Sequence, residues 1–351
     1  MSIFKKYLED SESIFKNEVA LDPSFTPPGK IEFRESQNEY IAECIRPLFQ
    51  RRSGKNLIIS GPPGIGKTLA CFKIKEEIEE TTDEILVFYI NLWKKNSQHK
   101  IILELCAQLD YKFIQNKSSD ELFQIVKQKI NQKSAVFILD EVDKVDSIEI
   151  LYPLVEDIFR KTIILITNDR EWTYRIDPRL KSRLIPDHLE FKPYNREEIK
   201  SILKKRIEWA FPQNTVSNEV LNIIISKTFE LTDIRTGLFL LRESGLSAES
   251  ESRKVIELEH AKKAIIKLSD FKKPLSLDED EEIILSSIKE NPDKTTQELF
   301  DIYTKNTGRS IRTFQRRIKS LEKANLIKIE EKDGPGKSYS VSLKDKKLSD
   351  F

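Results

Sequence analysis

The chain has 351 residues, enough for two or three domains, and its 33% charged and 9% aromatic residues are typical of a globular protein in water. It lacks the run of about 18 apolar residues that a membrane span needs, and its three cysteines show no paired or metal-like spacing, which argues against a disulfide-rich secreted scaffold. The net charge is only +1, so any nucleic-acid site must be a local basic patch.

Strands and helices are predicted to alternate up to residue 195. A polar arm over residues 1–35 and a helix over 36–52 come first, and five apolar runs then predict strands with helices between them. Strands that are apolar throughout are typical of a parallel sheet covered on both faces, so we expect a multidomain α/β protein. The predicted strands are 56–60, 85–90, 135–139, 162–167 and about 189–191, and the predicted helices are 69–78, 98–110, 118–131 and 148–159.

Beyond residue 195 the chain is predicted to be mainly helical. Asn195 followed by Glu198 resembles a capping box, which predicts a helix start. We expect an arm and nucleotide-binding base over 1–195, a helical lid over 196–270 and a winged helix domain over 275–351, the last built from three helices and a hairpin. The predicted helices are 196–210, 217–230, 233–247, 258–268, 278–290, 295–305 and 310–324, with hairpin strands near 326–331 and 337–343.

The most specific motif is Gly61-Pro62-Pro63-Gly64-Ile65-Gly66-Lys67-Thr68, which fits the phosphate-binding loop pattern. It lies between a predicted strand and a predicted helix, where backbone N–H groups and the helix N-terminus can face a phosphate. We expect Lys67 to reach the β- and γ-phosphates and Thr68 to ligate Mg²⁺, and we include Leu69 in the nucleotide-binding segment.

Polar residues follow the third and fourth predicted strands. Asp140 and Glu141 end the third, and Asn168 ends the fourth. Because ligands of parallel sheets bind beyond the strand ends, we expect these residues near the loop. Asp140 can hold Mg²⁺ directly or through water, Glu141 can polarise an attacking water, and Asn168 can orient that water.

These motifs, followed by residues 177–184, resemble those of AAA+ ATPases. Residues 232–235, Thr-Asp-Ile-Arg, and 240–242, Leu-Leu-Arg, resemble the Gly-Asp-x-Arg…Leu-Leu-Arg lid pattern of the replication-initiator branch, with Thr232 in place of Gly. With residues 33–37 and the predicted winged helix, nearly the whole chain is similar to the archaeal family related to origin recognition complex subunit one and cell division control protein six.

The resemblance implies further site residues. Arg179 matches an arginine finger that reaches a neighbouring subunit's nucleotide, with Arg183 as the alternative, and Arg235 matches a lid arginine that senses the γ-phosphate. Arg34 and Gln37 match the segment beside the adenine. The resemblance also implies ATP or ADP with Mg²⁺ as cofactors and slow ATP hydrolysis as a switch. The implied partners are double-stranded origin DNA, paralogous initiator subunits and the replicative helicase, in a cytoplasmic, nucleoid-associated location.

The predicted helix 310–324 is amphipathic. At about 100° per residue, Ile311, Phe314, Ile318 and Leu321 share one face, and basic residues lie on the opposite face. We expect this helix to enter a major groove, with the turn of the hairpin on phosphate. The candidate DNA contacts are Arg309, Arg312, Thr313, Arg316, Lys319 and Lys337.

Residues 93–96, Trp-Lys-Lys-Asn, are a weaker candidate, because the resembled family carries a DNA-contacting helical insertion in this region. Two other functions stay open. A clamp-loader-like AAA+ remodeller would engage protein, but we find neither a C-terminal oligomerisation domain nor a Ser-Arg-Cys finger. A DNA-binding regulator would keep its nucleotide without turnover, which the presence of Asp140, Glu141 and Asn168 argues against.

Overall fold

A computed structural model of the chain describes residues 13–29, 31–145, 149–272, 278–291, 294–323, 326–332 and 338–343. The chain divides into two compact units, Met1–Ala261 and Lys262–Phe351. The first unit contains a five-stranded sheet with helices around it and a helical bundle. The described part of the second contains the end of the last bundle helix, three further helices and a β-hairpin. No helix in the described part of the chain has both the length and the apolarity to cross a membrane.

The five-stranded sheet is parallel, with the strand order β2-β3-β4-β1-β5. Every residue of β3 is buried, which confirms the prediction of a sheet covered on both faces. The last strand is predicted at 189–191 but begins earlier, because Asp187 already pairs with Leu57. The strands are β1 (Leu57–Ser60), β2 (Ile85–Asn91), β3 (Ser134–Asp140), β4 (Lys161–Thr167) and β5 (Asp187–Glu190).

Helices connect the strands and bring their carboxyl ends to one edge of the sheet. The single helix predicted over 36–52 ends at Ile45 and continues as a 3-10 turn, Arg46–Gln50, where Pro47 removes a backbone donor. The helices of this domain are α1 (Glu35–Ile45), α2 (Lys67–Thr81), α3 (Gln98–Gln108), α4 (Ser119–Ile130), α5 (Leu151–Asp157), α6 (Trp172–Arg175) and α7 (Pro178–Leu184).

Four helices follow the sheet: α8 (Arg196–Ala210), α9 (Asn218–Leu231), α10 (Ile234–Ser250) and α11 (Leu258–Lys272). The capping box at the start of α8 is present, since Asn195 Oδ1 accepts the Glu198 N–H at 2.9 Å and a Glu198 carboxylate oxygen accepts the Asn195 N–H at 2.8 Å. The boundary between the two units falls inside α11, earlier than the predicted boundary near 270–275, and residues 273–277 lie outside the described residues.

Residues 15–25 of the N-terminal arm contact the first helix of the lid, α8, and the residue that follows it. The rings of Phe15 and Phe211 have centroids 5.0 Å apart. The buried guanidinium of Arg206 on α8 donates to the carbonyl oxygens of Ala20 at 2.8 Å and Phe25 at 3.2 Å. Because buried backbone acceptors need partners, Arg206 fixes the arm to the lid.

The second unit contains α12 (Glu279–Glu290), α13 (Thr296–Thr307) and α14 (Ile311–Lys323), followed by the antiparallel strands β6 (Ile327–Lys332) and β7 (Ser338–Leu343). This is the order predicted for a winged helix. Phe314, Ile318 and Leu321 of α14 lie in its core. Ile311 was expected on the same packed face but is 43% exposed, because side chains tilt towards the helix N-terminus and a first residue projects past the core.

Candidate functional site

The phosphate-binding loop turns through positive φ at three glycines: Gly61 (150°), Gly64 (71°) and Gly66 (91°). A Cβ on Gly61 would lie 2.3 Å from the Phe191 carbonyl oxygen, so a side chain there would displace the loop. Gly66 occupies the N-cap of the 15-residue α2 without a side-chain cap, which leaves the first N–H groups of that helix available to an anion. In the same segment Ile65 is buried, Pro62 and Leu69 are half-buried, and Pro63 is exposed.

Lys67 is 5% exposed and its ammonium is held by three acceptors. Nζ donates to the carbonyl oxygens of Gly61 and Pro62, both at 2.7 Å, and to Asn168 Oδ1 at 2.8 Å. Burial lowers the pKa of Lys67 to about 8. A cation in a site of this kind interacts strongly with phosphate because little water screens it.

The Asp140 carboxylate at the end of β3 accepts hydrogen bonds from three directions. Oδ2 accepts the hydroxyl groups of Thr68 at 2.8 Å and Tyr89 at 2.9 Å, and Oδ1 accepts the backbone N–H of Glu141 at 2.8 Å. The structure therefore places side by side the two residues expected to hold Mg²⁺, Thr68 and Asp140. Carboxylate and hydroxyl oxygens suit this cation, which otherwise keeps water and substrate phosphates as ligands.

Glu141 directly follows Asp140 and has a left-handed backbone, with φ 58°. Its Oε2 is buried and has no hydrogen-bond partner among the described residues. Burial, together with the nearby carboxylates of Asp140 and Asp143, raises the pKa of Glu141. A carboxyl group with a raised pKa and an oxygen that accepts no hydrogen bond, on a residue with a strained backbone, has the properties of a general base.

Asn168 at the end of β4 is tied to a carboxylate that we did not predict as part of the site. Asp143 Oδ1 accepts the backbone N–H of Asn168 and the hydroxyl of Thr167, both at 3.1 Å. Burial opposes ionisation of Asp143, but these hydrogen bonds and Lys144 hold its pKa below the usual range. The sequence could have indicated Asp143 as a site residue, because it lies three residues after Asp140, one turn beyond the end of β3.

Arg34 is buried and holds together the loop and the segment that precedes α8. Its guanidinium donates through Nε and Nη2 to the Ile65 carbonyl oxygen at 3.2 and 3.1 Å, and through Nη2 to that of Lys192 at 2.7 Å. The guanidinium carbon lies 3.9 Å from the centroid of the Tyr194 ring. Gln37, one turn further along α1, is half-buried.

The lid meets the loop at the start of α10. The Ile234 N–H donates to the Gly64 carbonyl oxygen at 3.3 Å, and Asp233 Oδ1 caps the helix by accepting the Arg235 N–H at 2.8 Å. The Arg235 side chain is exposed. Its positive charge adds to the burial that lowers the pKa of Lys67 and opposes the burial that raises the pKa of Glu141. Arg235 is thus on the loop side of the lid.

The two candidate finger arginines differ in their surroundings. Arg179 lies in the first turn of α7 and is exposed. The Arg183 guanidinium on the same helix forms an ion pair with Glu156 of α5. Arg179 is therefore the better placed of the two to reach another molecule.

The arginines of the second unit fall into two groups. Arg312, Arg316 and Lys319 are exposed on α14, and none of them forms an ion pair with another described residue; Thr313 is half-buried. Arg309 instead pairs with Asp280. Lys337 lies outside the described residues.

Arg317, next to Arg316, turns towards the acidic start of α12. It pairs with Asp278 and lies 3.7 Å from a Glu281 carboxylate oxygen. Asp280, the partner of Arg309, is only 2% exposed, and Arg317 and Asp278 are both half-buried, so these pairs lie within the domain. Arg309 is among the DNA contacts predicted from the sequence, and Arg317 is not.

The Trp93 side chain is 65% exposed after β2, and the Lys144 ammonium lies 5.9 Å from the centroid of its ring. Lys95 pairs with Glu104 of α3 at 3.0 Å. An exposed indole beside lysines is compatible with a surface that contacts another molecule.

Comparison with known proteins gives two family matches and several relatives that match most of the chain. The model described as an AAA domain matches residues 50–168, and that of the Cdc6 AAA+ ATPase-type lid domain matches 200–265. ORC1-type DNA replication protein 2 of Methanothermobacter thermautotrophicus is 30% identical, over 90% of this chain and 88% of the relative. ORC1-type DNA replication protein 1 of Sulfurisphaera tokodaii is 30% identical, over 83% of this chain and 78% of the relative.

Solved structures share the fold. The Aeropyrum pernix ORC1 protein, solved in complex with DNA, superposes with a TM-score of 0.71 at 21% identity, over 95% of this chain and 94% of that one. Cdc6p of Pyrobaculum aerophilum superposes with a TM-score of 0.66 at 19% identity, over 94% of each chain.

Proposed function

Because this chain belongs to the family of ORC1-type DNA replication proteins, which are AAA+ ATPases, we propose that it is an ATP-dependent initiator that binds origin DNA and helps to recruit or load the replicative helicase. Its partners are then double-stranded origin DNA, paralogous initiator subunits and the helicase. The DNA complex of the Aeropyrum ORC1 protein, which has the same fold, agrees with this proposal.

One observation supports the nucleotide site most directly. Lys67 of the loop and Asn168 of β4 are joined at 2.8 Å, and Thr68 of the loop and Asp140 of β3 are joined at 2.8 Å. The loop and the two neighbouring strand ends therefore present a cation, an amide and a carboxylate to the same space, as ATP hydrolysis requires.

Each residue has a distinct part in the proposed reaction. Lys67 and the first N–H groups of α2 would hold the phosphates. Thr68 and Asp140 would hold Mg²⁺, which would neutralise part of the phosphate charge. Glu141 accepts a proton from the attacking water, and Asn168 orients that water. Arg34 and Gln37 border the adenine side of the loop.

We further propose that hydrolysis is slow and serves as a conformational switch. Arg235 senses the γ-phosphate from the lid, and Arg179 acts as the finger towards a neighbouring subunit. The contact between α10 and Gly64 couples the angle of the lid to the loop. Arg312, Thr313, Arg316 and Lys319 are the proposed DNA contacts on the winged helix. Lys337 stays a prediction from the sequence, and the ion pair of Arg309 leaves that residue a weaker candidate.

Two experiments test this function. Retention of radiolabelled ATP should be lost in Lys67→Ala and kept in Lys73→Ala, a matched control whose lysine forms an exposed ion pair with Glu76 on the same helix. Genome-wide mapping of where the protein crosslinks should give a few sharp sites at replication origins. Equal ATP retention in both variants, or uniform crosslinking along the chromosome, would contradict the proposal.

A further inference from the structure

Tyr89 on β2 makes a direct hydrogen bond to the acidic centre of the site, although it is not among the predicted site residues. Its hydroxyl donates to Asp140 Oδ2 at 2.9 Å, the same oxygen that accepts the Thr68 hydroxyl at 2.8 Å. We propose that Tyr89 is a positioning residue that fixes the Asp140 carboxylate in the orientation needed for the Mg²⁺–nucleotide complex. This inference rests on the nucleotide site proposed above.

The position of the Tyr89 hydroxyl is itself fixed by contacts from two helices. Gln108 of α3 pairs with the backbone of Tyr89 at the edge of the sheet: its amide nitrogen donates to the Tyr89 carbonyl oxygen at 2.8 Å, and its amide oxygen accepts the Tyr89 N–H at 3.2 Å. The Tyr89 ring packs on Phe72 of α2, with centroids 4.4 Å apart. Phe72 lies one turn after Thr68 on α2. Tyr89 therefore contacts α2 near Thr68 as well as Asp140 at the end of β3.

Asp140 needs such a partner because a carboxylate with few donors can rotate about its Cβ–Cγ bond. Donors behind a metal ligand orient that ligand and raise its affinity for the metal. Thr68 is itself a candidate ligand, and the Glu141 N–H bonds the other carboxylate oxygen. Tyr89 is therefore the side-chain donor to Asp140 Oδ2 that has no other proposed role.

The chain offers a matched control at the opposite end of the sheet. The Tyr40 hydroxyl donates to Asp187 Oδ2 at 2.9 Å, the same chemistry at the same distance. Asp187 opens β5 and pairs with Leu57 at the start of β1, whereas the loop follows the end of β1. Loss of the Tyr40 hydroxyl thus removes a similar hydrogen bond without affecting the nucleotide site.

The test measures ATP affinity in the full-length protein, first in excess EDTA and then across a titration of MgCl₂. Tyr89→Phe keeps the ring against Phe72 and removes only the hydroxyl. We expect unchanged ATP affinity in EDTA and an unchanged melting temperature, but a Mg²⁺ requirement about tenfold higher, as for other partners behind a metal ligand. Tyr40→Phe should match the parent protein in both conditions.

Four outcomes would overturn the inference. An unchanged Mg²⁺ requirement in Tyr89→Phe would show that Tyr89 does not position Asp140, and an equal loss of affinity in EDTA would show a general defect of the site. Added to Asp140→Asn, Tyr89→Phe should cause no further change, so a second tenfold loss there would show that Tyr89 does not act through Asp140. If the parent protein binds no ATP under either condition, the nucleotide site itself is wrong and this inference fails with it.

Discussion

The carboxylate of Asp233, at the start of α10 in the lid, occupies the space that a side chain on Gly64 would need: a Cβ there would lie 1.7 Å from Asp233 Oδ1. The Gly64 carbonyl oxygen also accepts the Ile234 N–H. The lid and the phosphate-binding loop are therefore in direct backbone contact at a glycine, and a change in the loop at this point must move the lid.

Gly64→Ala should consequently impair nucleotide retention by more than the backbone strain of alanine at positive φ explains. Gly29 is a matched control, because its φ of 78° is close to the 71° of Gly64 and its added Cβ meets nothing within 4 Å. We expect Gly29→Ala to cost about 1 kcal/mol of unfolding free energy and leave ATP affinity unchanged, and Gly64→Ala to lower ATP affinity at least about tenfold. Similar ATP affinities in the two variants would contradict the predicted contact.

Thr232→Gly should stabilise the protein. Thr232 directly follows α9 and has a left-handed backbone, with φ 51° and ψ 25°, which a β-branched residue adopts at a cost of about 1–2 kcal/mol. Asn214, at φ 64°, is the control, because asparagine tolerates this conformation better. We expect thermal unfolding to show a higher midpoint for Thr232→Gly and little change for Asn214→Gly, and a lower midpoint for the former would show that the threonine side chain compensates for its strain.

ATP affinity should fall as the pH rises above about 8. The unliganded site holds Lys67 at a pKa of about 8, against 10.5 for an ordinary lysine. ATP binds the protonated form, so above pH 8 binding must be accompanied by proton uptake and weakens by up to about tenfold per pH unit. Titration calorimetry between pH 7.5 and 9.5, in buffers of different ionisation enthalpy, measures both effects; a constant affinity without proton uptake would show that Lys67 stays charged.

Sequence patterns predicted the sheet well, since strands buried on both faces leave uninterrupted apolar runs such as β3 and β4. They did not predict which partner each polar side chain would find. Tyr89 is an ordinary strand residue until β2 pairs with β3 and brings it beside Asp140. Likewise, Ile311 has the helical phase of the core residues but projects past the end of the core. Periodicity does not show this, because it depends on how the helix packs.

The adjacent residues Arg316 and Arg317 should respond in opposite ways to replacement by alanine. Arg316 is exposed, so Arg316→Ala should leave the melting temperature unchanged and weaken DNA binding across all sequences, with the dependence of log affinity on log salt reduced by about one. Arg317 pairs with Asp278 and approaches Glu281, so Arg317→Ala should cost about 1–3 kcal/mol of unfolding free energy.

Salt titrations of DNA binding and thermal unfolding of both variants separate the two roles. At a temperature where Arg317→Ala is fully folded, its salt dependence should equal that of the parent protein, because its charge is already neutralised by carboxylates within the domain. Two variants with the same loss of salt dependence would mean that the ion pairs of Arg317 open on DNA, and unchanged binding in Arg316→Ala would remove this face of α14 from the DNA interface.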